Sequence, residues 1–225
     1  LAELAGAGEL VVADGNHRSL AAQLGGLPRF LAVITTPDSV TIQPYHRLIT
    51  ESPVPVDELL DRLTAAGARV TAELGPPVIP AAGSIQLYAP GTAYRIDLPG
   101  AIDQPGATAL DPAASVPGAS VPGASVPGAS VVDRLDHAIV ERLVLRETLG
   151  LDPGDKRITY VGGDYPPQWL ADQVDSGRAE LAILIAPVTV ADFVAVNLAR
   201  LRMPRKSTWF TPKARAGLVL AELDA

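Results

Sequence analysis

The chain has no cysteine, a single methionine and few aromatic residues, 4% of its 225 positions. Without cysteine there is no disulfide, no thiolate nucleophile and no cysteine-ligated metal. The three histidines, His17, His46 and His137, lie far apart and at no metal-ligand spacing, which argues against a histidine-rich zinc site. No apolar run approaches the roughly 18 to 20 residues that span a bilayer, and no signal-peptide pattern opens the sequence. A cytoplasmic protein without a membrane segment is therefore expected. Positive charge is also short: 18 Lys and Arg face 25 Asp and Glu, for a net charge of −7. Such a balance makes nucleic acid an unexpected partner. Because the only methionine is Met203 and the first residue is Leu1, the natural start is expected to lie upstream.

What is present is 48% apolar and 19% charged, enough for one large or two small domains with a real core. The apolar run at 10–13 reads as a buried strand. It turns at Asp14-Gly15-Asn16-His17-Arg18 into the helical pattern of 19–24. A glycine turn into a helix start leaves backbone N–H groups and the positive end of the helix dipole free, the usual setting for bound phosphate. His17 and Arg18 add donors at the same place, and a guanidinium can grip a phosphate with two parallel bonds. The plain alternative is an Asp-Gly turn whose His and Arg are merely solvated.

Further on, 30–35 is a continuous apolar run suited to a buried strand, and 40–42 is a short strand leading into Pro44-Tyr45-His46-Arg47. Leu59, Leu60 and Leu63 mark an amphipathic helix ended at Gly67, and 84–89 with 94–98 read as a strand pair. Helical spacing returns over 133–149, strand patterns at 157–161 and 181–185, and helices from about 166 to 177 and 190 to 199. Hairpins interrupt any regular β-α-β rhythm, so the expected class is α+β, a mixed sheet flanked by helices. Three parts are expected: 1–98 with the phosphate turn, 99–130, and 131–225.

The middle part is different in kind. Ala114-Ser115-Val116-Pro117-Gly118 repeats at 119–123 and 124–128 and then decays. A proline and a glycine in every five residues block helix and ladder alike, and the period is far below the roughly 20 to 50 residues of solenoid repeats. It reads as a flexible loop grown by duplication. Elastin-like self-association is the alternative.

Between 200 and 215 lie Arg200, Arg202, Arg205, Lys206, Lys213 and Arg215 with no acidic residue. Lys206-Ser207-Thr208 echoes the lysine and hydroxyl of a P-loop, but the wrapping glycines are absent, so a Walker A site is rejected. A lysine beside two hydroxyls can still meet phosphate from another scaffold. The alternative is a solvated charge cluster around a strand with Trp209 and Phe210 in the core. His137, on a helix beside Asp136, reads as an ordinary surface residue.

Three segments, Asp14-Gly15-Asn16-His17-Arg18, Pro44-Tyr45-His46-Arg47 and the run from Met203 to Lys213, stand in an order and at separations that resemble the bacterial and archaeal family known as domain of unknown function number 1015. Its pattern runs D-G-x-H-R, P-x-H-R and M-P-x-K-S-T-x-F-x-P-K. The chain is similar to the C-terminal part of such proteins. It departs from them at Asn16, where a second histidine is common, and at Ser19, where an aromatic is. More distantly, the D-G-x-H-R turn resembles that of the ParB/sulfiredoxin-like superfamily, which includes nucleotide switches and free-serine kinases.

That resemblance implies a nucleotide or other phosphate-bearing small molecule as partner, Mg²⁺ as its companion, and a homodimer as one expected assembly. Asp14 and His17 would be the catalytic pair. Gly15, Asn16, Arg18, His46, Arg47, Lys206, Ser207, Thr208 and Lys213 would contact phosphate. Sulfiredoxin chemistry is set aside because its cysteine has no counterpart here. Three readings stay open: phosphoryl transfer to a small hydroxyl compound, serine first; a non-catalytic nucleotide-binding module; and an inactive fragment.

Overall fold

The most apolar stretch, Leu181–Ile185, forms strand β7, with all five residues buried. Its pleat sends Leu181, Ile183 and Ile185 into one core and Ala182 and Leu184 into another, as a period of two requires. A computed structural model of the chain describes residues 10–99, 130–215 and 217. The expected repeat loop, apart from its two end residues, lies outside the described residues. The chain divides into two units, Leu1–Thr41 with Phe210–Ala225, and Ile42–Trp209.

In the larger unit, six strands form one sheet. They are β2 (Tyr45–Ile49), β3 (Arg69–Glu73), β4 (Ser84–Ala89), β5 (Thr92–Asp97), β6 (Ile158–Gly162) and β7, in the order β3-β5-β4-β7-β2-β6. Every ladder in this sheet is antiparallel. The β4–β5 hairpin closes at Pro90-Gly91, where proline pre-sets its own φ and Gly91 takes φ +72°. The α+β class with flanking helices is the one observed.

Both faces of the central strands are covered, which is why β2, β4 and β7 are buried along their whole length. One face packs Ile49, Ile85 and Ile183 against Leu59 and Leu63 of α2 (Val56–Ala65) and against Leu143 and Val144. The other packs Leu48, Tyr88 and Leu184 against Leu170 and Val174 of α4 (Pro167–Asp175). Truncating one of these leucines to alanine costs about 2 to 5 kcal/mol.

The helix expected over 133–149 begins as a short α-helical turn, α3 (Asp136–Ile139), and continues as a π-helix, Val140–Thr148, an uncommon geometry at this length. The Thr148 hydroxyl donates to the Leu143 carbonyl at 2.7 Å, five residues back. His137 on this element is 1% exposed, so the surface placement expected of it is corrected. Its ring packs toward β2 and hydrogen-bonds the Tyr45 carbonyl. Helix α5 (Val190–Leu198) follows, with Thr189 capping its N-terminus by accepting from the Asp192 amide.

The smaller unit carries α1 (Asn16–Leu24) and Thr41, the first residue of β1 (Thr41–Gln43), which pairs with β8 (Trp209–Thr211) in a two-stranded sheet. The strands expected at 10–13 and 30–35 are absent, a second correction. Phe30, Leu31, Val33 and Ile34 are all at least half exposed. An apolar run becomes a strand only where a neighbour supplies a ladder, and among the described residues none pairs with these segments.

Candidate functional site

The turn at Asp14 is built by one conformational requirement. Gly15 has φ +81° and ψ 24°, a left-handed conformation that side-chain-bearing residues avoid, and from it α1 starts at Asn16. A Cβ at Gly15 would also come within 3.0 Å of Arg18 Nη2, because the guanidinium folds back over the turn. No side chain caps α1 and no acid stands in its first turn. Its opening N–H groups therefore lack the partners that a capping residue supplies.

Two cations share the single carboxylate at this turn. Lys213 Nζ lies 3.2 Å from Asp14 Oδ2, and Arg18 Nη2 lies 3.9 Å from the same atom. Residues 199 positions apart in sequence are thus brought together. Burial acts to raise the Asp14 carboxyl, but the Lys213 hydrogen bond, the Gly15 amide and the Lys213 and Arg18 charges outweigh it and hold it below the ordinary range. Asn16, His17 and Arg18 are exposed. Arg18 and Lys213 thus meet at one carboxylate beside a helix N-terminus.

The larger unit holds the other expected residues in a different state. His46 and Arg47 are fully buried. His46 Nδ1 accepts the Ile185 amide at 3.1 Å, which places the proton of the neutral ring on Nε2. Burial, helped by the Arg47 charge, lowers His46 to about 4. Arg47 Nη1 donates to the carbonyls of Tyr45 at 2.9 Å and His46 at 3.3 Å, and Nη2 to that of Arg205 at 3.2 Å. Its guanidinium carbon lies 4.4 Å from the Tyr160 ring centroid. Burial lowers Arg47 to about 10, so it stays cationic at neutral pH. Neither side chain reaches the surface to meet a phosphate.

Beside them lie His137, expected at the surface, and Glu141, which the sequence did not single out, four residues apart on one helical element. Burial drives His137 well below its usual value and raises Glu141. Four buried atoms, His46 Nε2, Arg47 Nε, His137 Nε2 and Glu141 Oε1, have no hydrogen-bond partner among the described residues. A helical i, i+4 pair facing an internal His-Arg was the only signal available in the sequence. Of the remaining candidates, Lys206 is exposed, Thr208 is partly buried, and Ser207 is buried with its hydroxyl donating to the Pro204 carbonyl at 2.8 Å.

A resident divalent ion does not fit these residues. Asp14 offers one carboxylate with a lysine already on it, and no group of three His, Asp or Glu side chains that could hold a metal occurs among the described residues. Nor is any helix among them long and apolar enough to cross a membrane.

No family model matches this chain, and no curated protein matches it either. Among solved structures, it is similar to a free serine kinase in complex with AMP, at 14% identity and a TM-score of 0.47, covering 91% of this chain and 69% of that one. A variant of free serine kinase in complex with ADP is similar at 16% identity and a TM-score of 0.47, over 91% of this chain and 70% of that one. A conserved hypothetical protein from Pyrococcus furiosus is similar at 15% identity and a TM-score of 0.45, over 90% and 69%.

Proposed function

We propose that this chain binds a nucleotide or another phosphate-bearing small molecule at the Asp14–Arg18 turn and transfers a phosphoryl group to a small hydroxyl compound, serine being the first candidate. The observation that carries the reading is the Arg18 guanidinium and Lys213 ammonium converging on one turn whose helix N–H groups are uncapped. Phosphoryl transfer asks mainly for positioning and for positive charge around the moving group, and an exposed turn carrying Arg18 and Lys213 supports both.

In this reading Arg18 and Lys213 bind phosphate oxygens, with Gly15 and Asn16 offering backbone donors. His17 offsets charge as the acceptor hydroxyl oxygen bonds to phosphorus and the bond to the leaving phosphate breaks. Asp14 orients the hydroxyl and takes its proton. Mg²⁺ enters only as a companion ion carried on the nucleotide's own phosphates.

A second reading, nucleotide binding without chemistry, draws on the state of Asp14. A carboxylate held below its ordinary range and already paired with a lysine is a weak proton acceptor. Asn16, standing where the resembled pattern has histidine, points the same way.

The test is thermal unfolding with ATP, ADP, CTP or pyrophosphate, with and without Mg²⁺. At about 100 times the dissociation constant, a ligand adds roughly 2.7 kcal/mol to stability, a shift of a few degrees. Arg18→Ala is expected to abolish the shift while leaving the unliganded unfolding temperature in place. Affinity retained within a few-fold would move the site elsewhere. Product formed from serine separates the enzyme from the binding module.

A further inference from the structure

Two non-glycine residues among those described have positive φ, Arg200 at +55° and Lys206 at +50°. Arg200 has an ordinary reason. It follows α5, and its amide bonds to Asn197 while that of Leu201 bonds to Val196, the pattern of a helix closed by a left-handed residue. Lys206 closes no helix. A tight turn asking for positive φ at that place takes glycine or asparagine at no cost, and here it carries a long cation.

The turn is held from both sides. The Arg205 carbonyl accepts from Arg47 Nη2 at 3.2 Å, and the Arg205 backbone also acts to lower the partly buried Glu141 carboxyl. The buried Arg47 therefore fixes the peptide group immediately before Lys206. Arg47 is itself steadied by Tyr160 at 4.4 Å. Beyond the lysine, the Ser207 hydroxyl ties back to Pro204. The Lys206 ammonium ends 5.6 Å from the Tyr45 ring centroid, with no carboxylate partner among the described residues. A solvated lysine needs none of this anchoring.

We propose that Lys206 is an anion-binding lysine, held in a strained backbone so that its ammonium meets a phosphate oxygen, and that Arg47 is the positioning residue that presents it. The proposal rests on the reading of this chain as a phosphate binder, and it gives the buried arginine a role that phosphate contact does not. A left-handed lysine persists only where the surroundings over-determine it, and such residues gather at functional sites.

Pyrophosphate is the probe, titrated by calorimetry into the full chain and two variants. Lys206→Gln removes the charge and keeps the backbone demand, whereas Lys206→Gly removes both. Both are expected to weaken pyrophosphate binding by about tenfold or more, the loss of one charge-assisted hydrogen bond. The glycine variant is expected to unfold about two degrees higher than the glutamine variant. For Arg47, the readout is the shift that the Tyr45 ring imposes on the Lys206 side-chain protons. Arg47→Lys should return that signal to its ordinary position in a chain that still unfolds cooperatively.

Unchanged affinity in both Lys206 variants overturns the proposal, and so does a glycine variant that unfolds below the glutamine one. If Arg18→Ala abolishes binding while the Lys206 variants bind normally, the proposal falls and the Asp14–Arg18 reading stands. If the Lys206 variants weaken binding while Arg18→Ala does not, that reading falls and Lys206 stands. No pyrophosphate binding by the unsubstituted chain overturns both.

Discussion

The dipeptide His-Arg occurs twice, and the fold treats its two copies in opposite ways. His17-Arg18 stands exposed at the start of a helix, with the Arg18 side chain 83% exposed and its guanidinium turned toward one carboxylate. His46-Arg47 lies in a central strand, wholly buried, with Arg47 Nη1 and Nη2 and His46 Nδ1 directed at backbone groups. The residues are the same and the chemistry is not. At the helix start, the Arg18 cation faces solvent beside His17. Inside the sheet, the same cation organises carbonyls, and the imidazole is kept neutral to satisfy an amide.

The comparison is broken most forcefully by removing each arginine in turn. Arg47→Met takes a donor from the carbonyls of Tyr45, His46 and Arg205 and removes the buried charge that acts to lower Glu141. Leaving a buried acceptor without its partner costs about 1 to 3 kcal/mol. Arg18→Met removes an exposed side chain in a loose ion pair, worth about 0.5 kcal/mol or less. Urea unfolding of both variants reads the difference directly. Equal losses would mean that burial does not separate the two copies.

A smaller effect sharpens the contrast between the histidines. His46 titrates at about 4 in the folded chain, against an ordinary 6.5. Between those values the unfolded chain binds a proton that the folded one refuses, so stability falls as pH drops from about 6.5 to 4. The whole effect is about 3 kcal/mol at most. Arg47 and His137 face the same ring and reinforce the sign. Asp136, raised to about 6 by burial and nearby Asp192 against the pull of the Gly83 amide, acts oppositely over much of this window. The informative quantity is therefore the difference between the chain and His46→Gln, whose amide oxygen can still accept from Ile185. That difference should flatten the acid limb of a stability-against-pH curve. A limb unchanged in the variant would place the titration elsewhere.

Much of the larger unit was legible because its patterns are local. Strand β7 is an unbroken apolar run, the β4–β5 hairpin is announced by Pro90-Gly91, and α2 shows its leucines at helical spacing. The smaller unit was misread for a physical reason. Residues 30–35 have the composition of a strand, but a strand exists only with a partner, and composition carries no record of partners. The burial of β2 was hidden for a related reason. A central strand covered on both faces loses the alternation that marks burial, and Tyr45-His46-Arg47 offered polarity where the fold supplied internal hydrogen bonds. The turn at Gly15 was readable, because a glycine before a helix has a conformational meaning of its own. The union of Asp14 with Lys213 came from motif resemblance, since no spacing rule reaches across 199 positions.

The smallest effect concerns that union. Lys213→Gln removes the ammonium 3.2 Å from Asp14 Oδ2 and leaves Arg18 at 3.9 Å as the nearest cation. Burial, the largest influence on Asp14 and one that raises it, is then opposed only by the Gly15 amide and the more distant arginine. The carboxyl should titrate at a higher pH in the variant, a change followed through its carbon signal by NMR, with global stability moving by less than about 1 kcal/mol because the pair is largely exposed. If the carboxyl titrates unchanged, the Gly15 amide and Arg18 are sufficient to hold Asp14 ionised. If it rises, Lys213 is what keeps Asp14 a weak proton acceptor. A phosphate that drew the lysine away would then strengthen Asp14 as a base at the moment a hydroxyl substrate needs one. The same measurement thus bears on the choice between the two readings proposed for the exposed His-Arg turn, binding alone or reaction.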